Sequence, residues 1–118
     1  MKENVIAERS FDFALDIISL CEELCEHRRF VLADQLLRSG TSIGANVEEA
    51  GAAQSRKDFI SKMAIASKEA RESRYWLRLL QGSQTLHRDY SEYIEKASEI
   101  VSILTAIVKT SSASLKAI

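Results

Sequence analysis

The chain has 118 residues and a formal net charge of -1, with 46% hydrophobic and 28% charged residues, no proline and four glycines. Its length allows one modest core and no second domain, so residues 1–118 read as a single unit. The near-neutral total excludes a uniformly basic nucleic-acid binder while allowing a one-sided patch, and the scarcity of chain breakers points to long helices.

No stretch approaches the roughly 20 apolar residues needed to span a bilayer, and Met1 to Ser10 lacks the apolar run of a signal peptide. Cytoplasm is therefore the expected location, with no membrane partner. The first segment, about 6–26, carries two adjacent apolar stripes at helical spacing. Ile6, Phe13, Ile17, Leu20 and Leu24 form one, and Ala7, Phe11, Ala14, Ile18, Cys21 and Cys25 form the other. Together they predict a wide buried face. Cys21 and Cys25 stand one turn apart, a poor geometry for a mutual disulfide, and no second ligand pair accompanies them, so both read as buried thiols. His27, Arg28 and Arg29 fall at the carboxyl end of this helix, where cations complement its dipole.

The second helix is expected over about 30–53, with Leu32, Leu36, Ile43, Val47 and Ala50 keeping helical phase through the small-residue run SGTSIGANVEEA of Ser39 to Ala50. Gly40 and Gly44 each cost about 1 kcal/mol against alanine inside a helix. That penalty makes sense where another backbone comes close or where the helix bends.

Ser55 with Asp58 three residues later predicts a capped start for a third helix, about 55–81. Phe59, Met63, Ala66, Ala70, Ser73, Leu77 and Leu80 give it an apolar stripe. Its small central members call for a close neighbour, and the glycine-rich half of the second helix is the expected one. After a polar connection, Asp89 and Glu92 predict the start of a fourth helix, about 90–110. Tyr93, Ala97, Ile100, Leu104 and Ile107 form its apolar stripe, and the tail SSASLKAI is expected to fray or to dock on a neighbour.

Two carboxylates, Glu69 and Glu72, lie three apart on a second stripe of the third helix. With Arg38, Ser42, Asn46 and Glu49 of the second helix they form an expected polar seam, in which an arginine grips carboxylates and fixes helix register. Catalysis and metal binding find little support. The Glu-x-x-His pairs of di-iron bundles are absent, His27 and His87 sit at predicted helix ends, no zinc-ligand spacing occurs, and the serines lack a positioned base. No catalytic residue, cofactor or metal is therefore expected. The third helix also carries seven basic residues against three acids. Lys57, Lys68, Arg71 and Arg78 lie close to one face of it and are the candidate nucleic-acid contacts.

Arg38-Ser39, Ser42-Ile43, Asn46 and Glu49 form one block. Ser55, Asp58-Phe59, Lys62, Ile65-Ala66, Lys68-Glu69-Ala70, Glu72, Tyr75-Trp76-Leu77 and Leu79-Leu80 form a second. At this separation the two blocks resemble the four helix bundle protein family, first known from proteins encoded in intervening sequences of bacterial 23S ribosomal RNA genes. Where many relatives have Ala-Glu-Gly after the asparagine, this chain has Glu48-Glu49-Ala50 and then Gly51. The resemblance implies an all-α fold, an antiparallel up-and-down four-helix bundle, assembling as a homo-oligomer with a pentamer favoured. It implies a non-catalytic scaffold or adaptor. The related accessory proteins of diversity-generating retroelements suggest the alternative, an RNA- or DNA-binding accessory protein using the basic stripe of the third helix, with nucleic acid or a nucleic-acid-processing protein as partner.

Overall fold

The computed structural model describes residues 2–116 and consists of four long helices: α1 (Lys2–Glu26), α2 (Phe30–Gly51), α3 (Arg56–Gly82) and α4 (Ser91–Lys116). A single 3-10 turn, Thr85–His87, lies between α3 and α4. Helices of this length joined by short connections run alternately up and down, giving a rod of 52 × 21 × 21 Å. α2 packs on both α1 and α3, α3 on α4, and α1 meets α4 more loosely.

The stripes predicted from spacing line the core. Ile6, Phe13, Ile17, Leu20 and Leu24 of α1 are buried, as are Leu36, Ile43 and Val47 of α2 and Met63, Ala66, Ala70, Leu77 and Leu80 of α3. Ala97, Ile100, Leu104 and Ile107 complete it from α4. The second stripe of α1 behaves differently. Cys21 is buried, but Phe11 is 62% exposed, Ile18 39% exposed, and Cys25 is exposed. Among the described residues α1 packs chiefly on α2 and α4, and they cover an arc narrower than its apolar surface.

The ends of the helices follow local chemistry. Ser55 Oγ accepts the main-chain N–H of Asp58 at 3.0 Å, the expected cap of α3. At the end of α1, Arg29 N–H donates to Leu24 O and Arg28 N–H to Cys25 O, each at 2.9 Å, with Arg28 at φ 63°. This is a Schellman ending with arginine in the left-handed position that glycine usually fills. The basic triplet thus lies just beyond α1 rather than in its last turn. At the start of α4, Asp89 accepts the N–H of Ser91 at 3.0 Å and its hydroxyl at 2.8 Å. These donors hold the Asp89 carboxyl below the usual aspartate range.

α4 runs beyond the expected boundary, through Lys116, because its buried stripe continues past Ile107 to Ser111. The expected fraying of the tail therefore does not extend over residues 111–116, and Ala117 and Ile118 lie outside the described residues. The largest fully buried side chain is Tyr90, immediately before α4. Its hydroxyl donates to Thr85 O at 2.8 Å, and its N–H donates to Gln81 Oε1 at 2.6 Å. Tyr90 thereby closes the α3–α4 connection over the end of the core.

α2 is continuous through both glycines, so close approach rather than a bend accounts for them. The approach is to α1 and not, as expected, to α3. A Cβ on Gly40 would lie 2.9 Å from Ile17 Cγ2, and one on Gly44 would lie 3.5 Å from Ser10 Oγ. The residue beside Gly40 faces α3 instead. Successive helical residues are about 100° apart, so one stretch of α2 serves both neighbours. Ser73 donates to Ser39 Oγ at 2.9 Å, and Ser39 donates to Leu36 O at 3.3 Å, both hydroxyls being fully buried.

The two glycines respond oppositely to alanine. Gly44→Ala gains up to about 1 kcal/mol, because the contact is an ordinary one and glycine is a poor helix former. Gly40→Ala meets the branched, fully buried Ile17 and yields a net loss of up to about 2 kcal/mol. Urea unfolding of the two variants checks the sign, and Ile17→Ala, which removes both Cγ atoms, should cost less in the Gly40→Ala background than in the wild type.

Candidate functional site

Three surfaces of the bundle carry residues that the core does not need. The first is the seam between α2 and α3. Arg38 projects from α2 across to α3, where Nη1 donates to Glu69 Oε2 at 2.9 Å and Nη2 pairs with Glu72 Oε2. Trp76 Nε1 donates to the same Glu72 oxygen at 3.0 Å. The Glu69 side chain is only 9% exposed, whereas that of Arg38 is 51% exposed. A carboxylate that deep needs a cation or donors at hand, and the guanidinium fork serves two at once.

The other members expected in this seam do not reach α3. Ser42 Oγ donates to Arg38 O at 2.6 Å and Asn46 Nδ2 donates to Ser42 O at 2.9 Å, so both bond back to their own helix. Glu49 is exposed and takes part in no ion pair among the described residues. The expected seam thus contracts to a clamp of Arg38, Glu69, Glu72 and Trp76. Ser42 is half-buried and does not occupy the tight helix crossing, which belongs to Ser39 and Gly40.

The second surface is the outward face of α3. Lys57, Lys68, Arg71 and Arg78 are all exposed and, among the described residues, none forms an ion pair. Tyr75 stands among them, 51% exposed. Arg74 turns toward α4 instead, with Nη1 3.4 Å from Ser98 Oγ. Spacing alone locates the four cations. The aromatic in their midst escaped the sequence reading because it belongs to the Tyr75-Trp76-Leu77 run, two members of which face inward or toward the clamp.

The third surface is apolar. Phe11, Leu15 and Ile18 follow one another at helical spacing on the outside of α1. Ile18 continues into a groove of about 620 Å³ between α1 and α2, lined also by Cys21, Cys25, Ala33 and Leu37. Cys21 Sγ donates to Ala33 O at 3.3 Å, and burial pushes its thiol pKa up to about 12. Cys25 is on the exposed side, contrary to the expectation of two buried thiols, because the groove leaves the outer edge of α1 uncovered. Ion pairs hold the looser α1–α4 seam: Arg9 with Glu99, and Lys96 with Asp16 at 2.9 Å. Among the described residues, no three His, Cys, Asp or Glu side chains converge as metal ligands would, and no helix is long and apolar enough to cross a membrane.

Two measurements test this geometry. Arg38→Met strands the Glu69 carboxylate and should lower stability by about 1–3 kcal/mol, with Glu69→Gln in the same background recovering part of the loss. In a Cys25→Ser variant, Cys21 should resist alkylation at pH 8 until the protein is unfolded, since the thiolate is the reactive form. Rapid labelling of the folded variant would contradict the burial.

Among curated proteins, none matches the chain. A solved structure, that of a protein with unknown function from the S23 ribosomal protein family of Bacteroides thetaiotaomicron VPI-5482, shares 45% identity with it. The similarity covers 92% of this chain and 99% of that one, with a TM-score of 0.85. Residues 2–106 match the model of the 23S rRNA-intervening sequence proteins. With that match spanning most of a four-helix chain, the chain belongs to the 23S rRNA-intervening sequence protein family.

Proposed function

We propose that the protein is a non-catalytic scaffold that works as a homo-oligomer. The observation that carries this reading is the run of Phe11, Leu15 and Ile18, which are 62%, 51% and 39% exposed on one face of α1. Large apolar side chains contiguous on a surface mark an interaction site. A second exposed apolar pair lies on α3, where Ile65 and Leu79 project beside the clamp and apart from the basic face. Two different patches on one subunit suit head-to-tail contact, which closes into a ring when the rotation per subunit allows it. The preference for five subunits rests on family resemblance. Arg38 and Trp76 engage Glu72, and Arg38 engages Glu69, so these carboxylates act as register-fixing groups rather than as acid and base.

A second reading, an accessory protein that binds RNA or DNA, is favoured by one observation. Lys57, Lys68, Arg71 and Arg78 share an exposed face and have no carboxylate partner among the described residues. The two readings are compatible, because a ring repeats the basic face around its axis.

Light scattering tests the assembly. The wild type should run well above the 13.2 kDa of one chain. Phe11→Glu with Leu15→Glu should give a helical monomer, since both side chains are exposed within one chain. A wild type that is monomeric at micromolar concentration would overturn the scaffold reading.

A further inference from the structure

We propose that the outward face of α3 and its groove with α4 bind single-stranded nucleic acid, with phosphates held between Arg71 and Lys109 and a base stacked on Tyr75. This inference rests on the second reading above and narrows it to one form of the polymer.

At about 100° per residue, Lys57, Lys68, Arg71, Tyr75 and Arg78 fall within about 80° of arc, and at 1.5 Å per residue they extend along about 32 Å of helix. An elongated cationic track of this kind suits a chain of phosphates better than a single anion. Its acids have been removed from it. Glu69 and Glu72, the carboxylates of the central turns of α3, are turned toward α2 and paired with Arg38, so the track is left uncompensated.

Beside the track lies a groove of about 260 Å³ lined by Ala64, Ser67, Arg71, Thr105, Val108 and Lys109. Its polar residues are two cations and two hydroxyl groups, with no carboxylate among them. Neither Arg71 nor Lys109 forms an ion pair among the described residues. Guanidinium, ammonium and hydroxyl donors on two facing helices are the groups that hold a phosphate in place. Lys109 comes from α4, outside the periodic track, and so adds an observation independent of the spacing on α3.

Tyr75 decides between single and double strands. It sits one turn beyond Arg71 and one turn before Arg78, half exposed, with its ring against Trp76 at a centroid distance of 5.4 Å and an interplanar angle of 62°. Trp76 is itself fixed by its bond to Glu72, so Tyr75 is braced from one side and open on the other. An aromatic ring interleaved with cations contributes to binding when it can reach the face of an unpaired base. In a duplex those faces are covered by neighbouring base pairs, and the cations alone would act.

The test is fluorescence anisotropy at low salt with the full chain, using a labelled oligo-uridine or oligo-thymidine of about 20 nucleotides and a labelled duplex of equal length. The single strand should bind more tightly. Tyr75→Ala should weaken its binding roughly 5- to 100-fold and leave the duplex unaffected, while Tyr75→Phe retains the affinity. Arg71→Gln and Lys109→Gln should each reduce the slope of log K against log salt by about 0.7. All three positions are exposed, and thermal melting of each variant shows that folding is intact. Equal binding of both polymers, with Tyr75→Ala indistinguishable from wild type, overturns the single-strand inference and leaves the broader reading standing. If neither polymer is retained at low salt, both fail. If polyglutamate of equal charge displaces the oligonucleotide as well as unlabelled oligonucleotide does, the face belongs to an acidic protein and both fail.

Discussion

The close passage of α2 between α1 and α3 at Ser39 and Gly40 is the constraint on which the other features depend. Gly40 leaves no room for even a methyl group beside Ile17, and Ser39 meets Ser73 through a hydroxyl pair that replaces two bulky side chains. Each hydroxyl is also within reach of a carbonyl of its own helix, so burial leaves neither without a partner. Among the described residues no buried side-chain polar atom lacks one. Small residues at the crossing bring the helix axes close, and that proximity lets the longer side chains above and below interdigitate.

The same proximity sets the chemistry of the surface. Because α2 and α3 lie close, Arg38 spans from one to the other and binds two carboxylates one turn apart. Those carboxylates would otherwise moderate the positive charge of α3. Register, burial of Glu69 and the cationic outer face of α3 are thus linked through one guanidinium. On the opposite side of α2, the groove with α1 stays open near Ile18 and Leu37, and the apolar outside of α1 has no partner among the described residues.

Much of this architecture is legible in the sequence because long helices write it as a period. The inner stripes of all four helices, the Ser55 cap and the four cations of α3 all follow from three-and-four spacing. What periodicity does not carry is which neighbour a face meets. Gly40 and Ser39 are adjacent in sequence yet point to different helices, so assigning the glycines to α3 mistook a direction that only the packing supplies. Ser42 and Asn46 share the face of Arg38, but their side chains are too short to reach α3 and bond to carbonyls one turn back. Tyr90 keeps the three-and-four phase of the α4 stripe but lies before the first turn of that helix, and it is held there by Gln81 at the end of α3 and Thr85 of the connection. Ser111 was hidden for a simpler reason, since a buried serine leaves no mark in an apolar pattern.

The uncovered face of α1 is the proposed surface for a second copy of this chain. Its most direct test is the melting temperature measured over a roughly 100-fold range of protein concentration, because an assembly that exists only between folded subunits is stabilised by mass action. For an assembling chain the midpoint should rise steadily with concentration. A midpoint independent of concentration throughout that range, with the same unfolding profile at both ends, would contradict it.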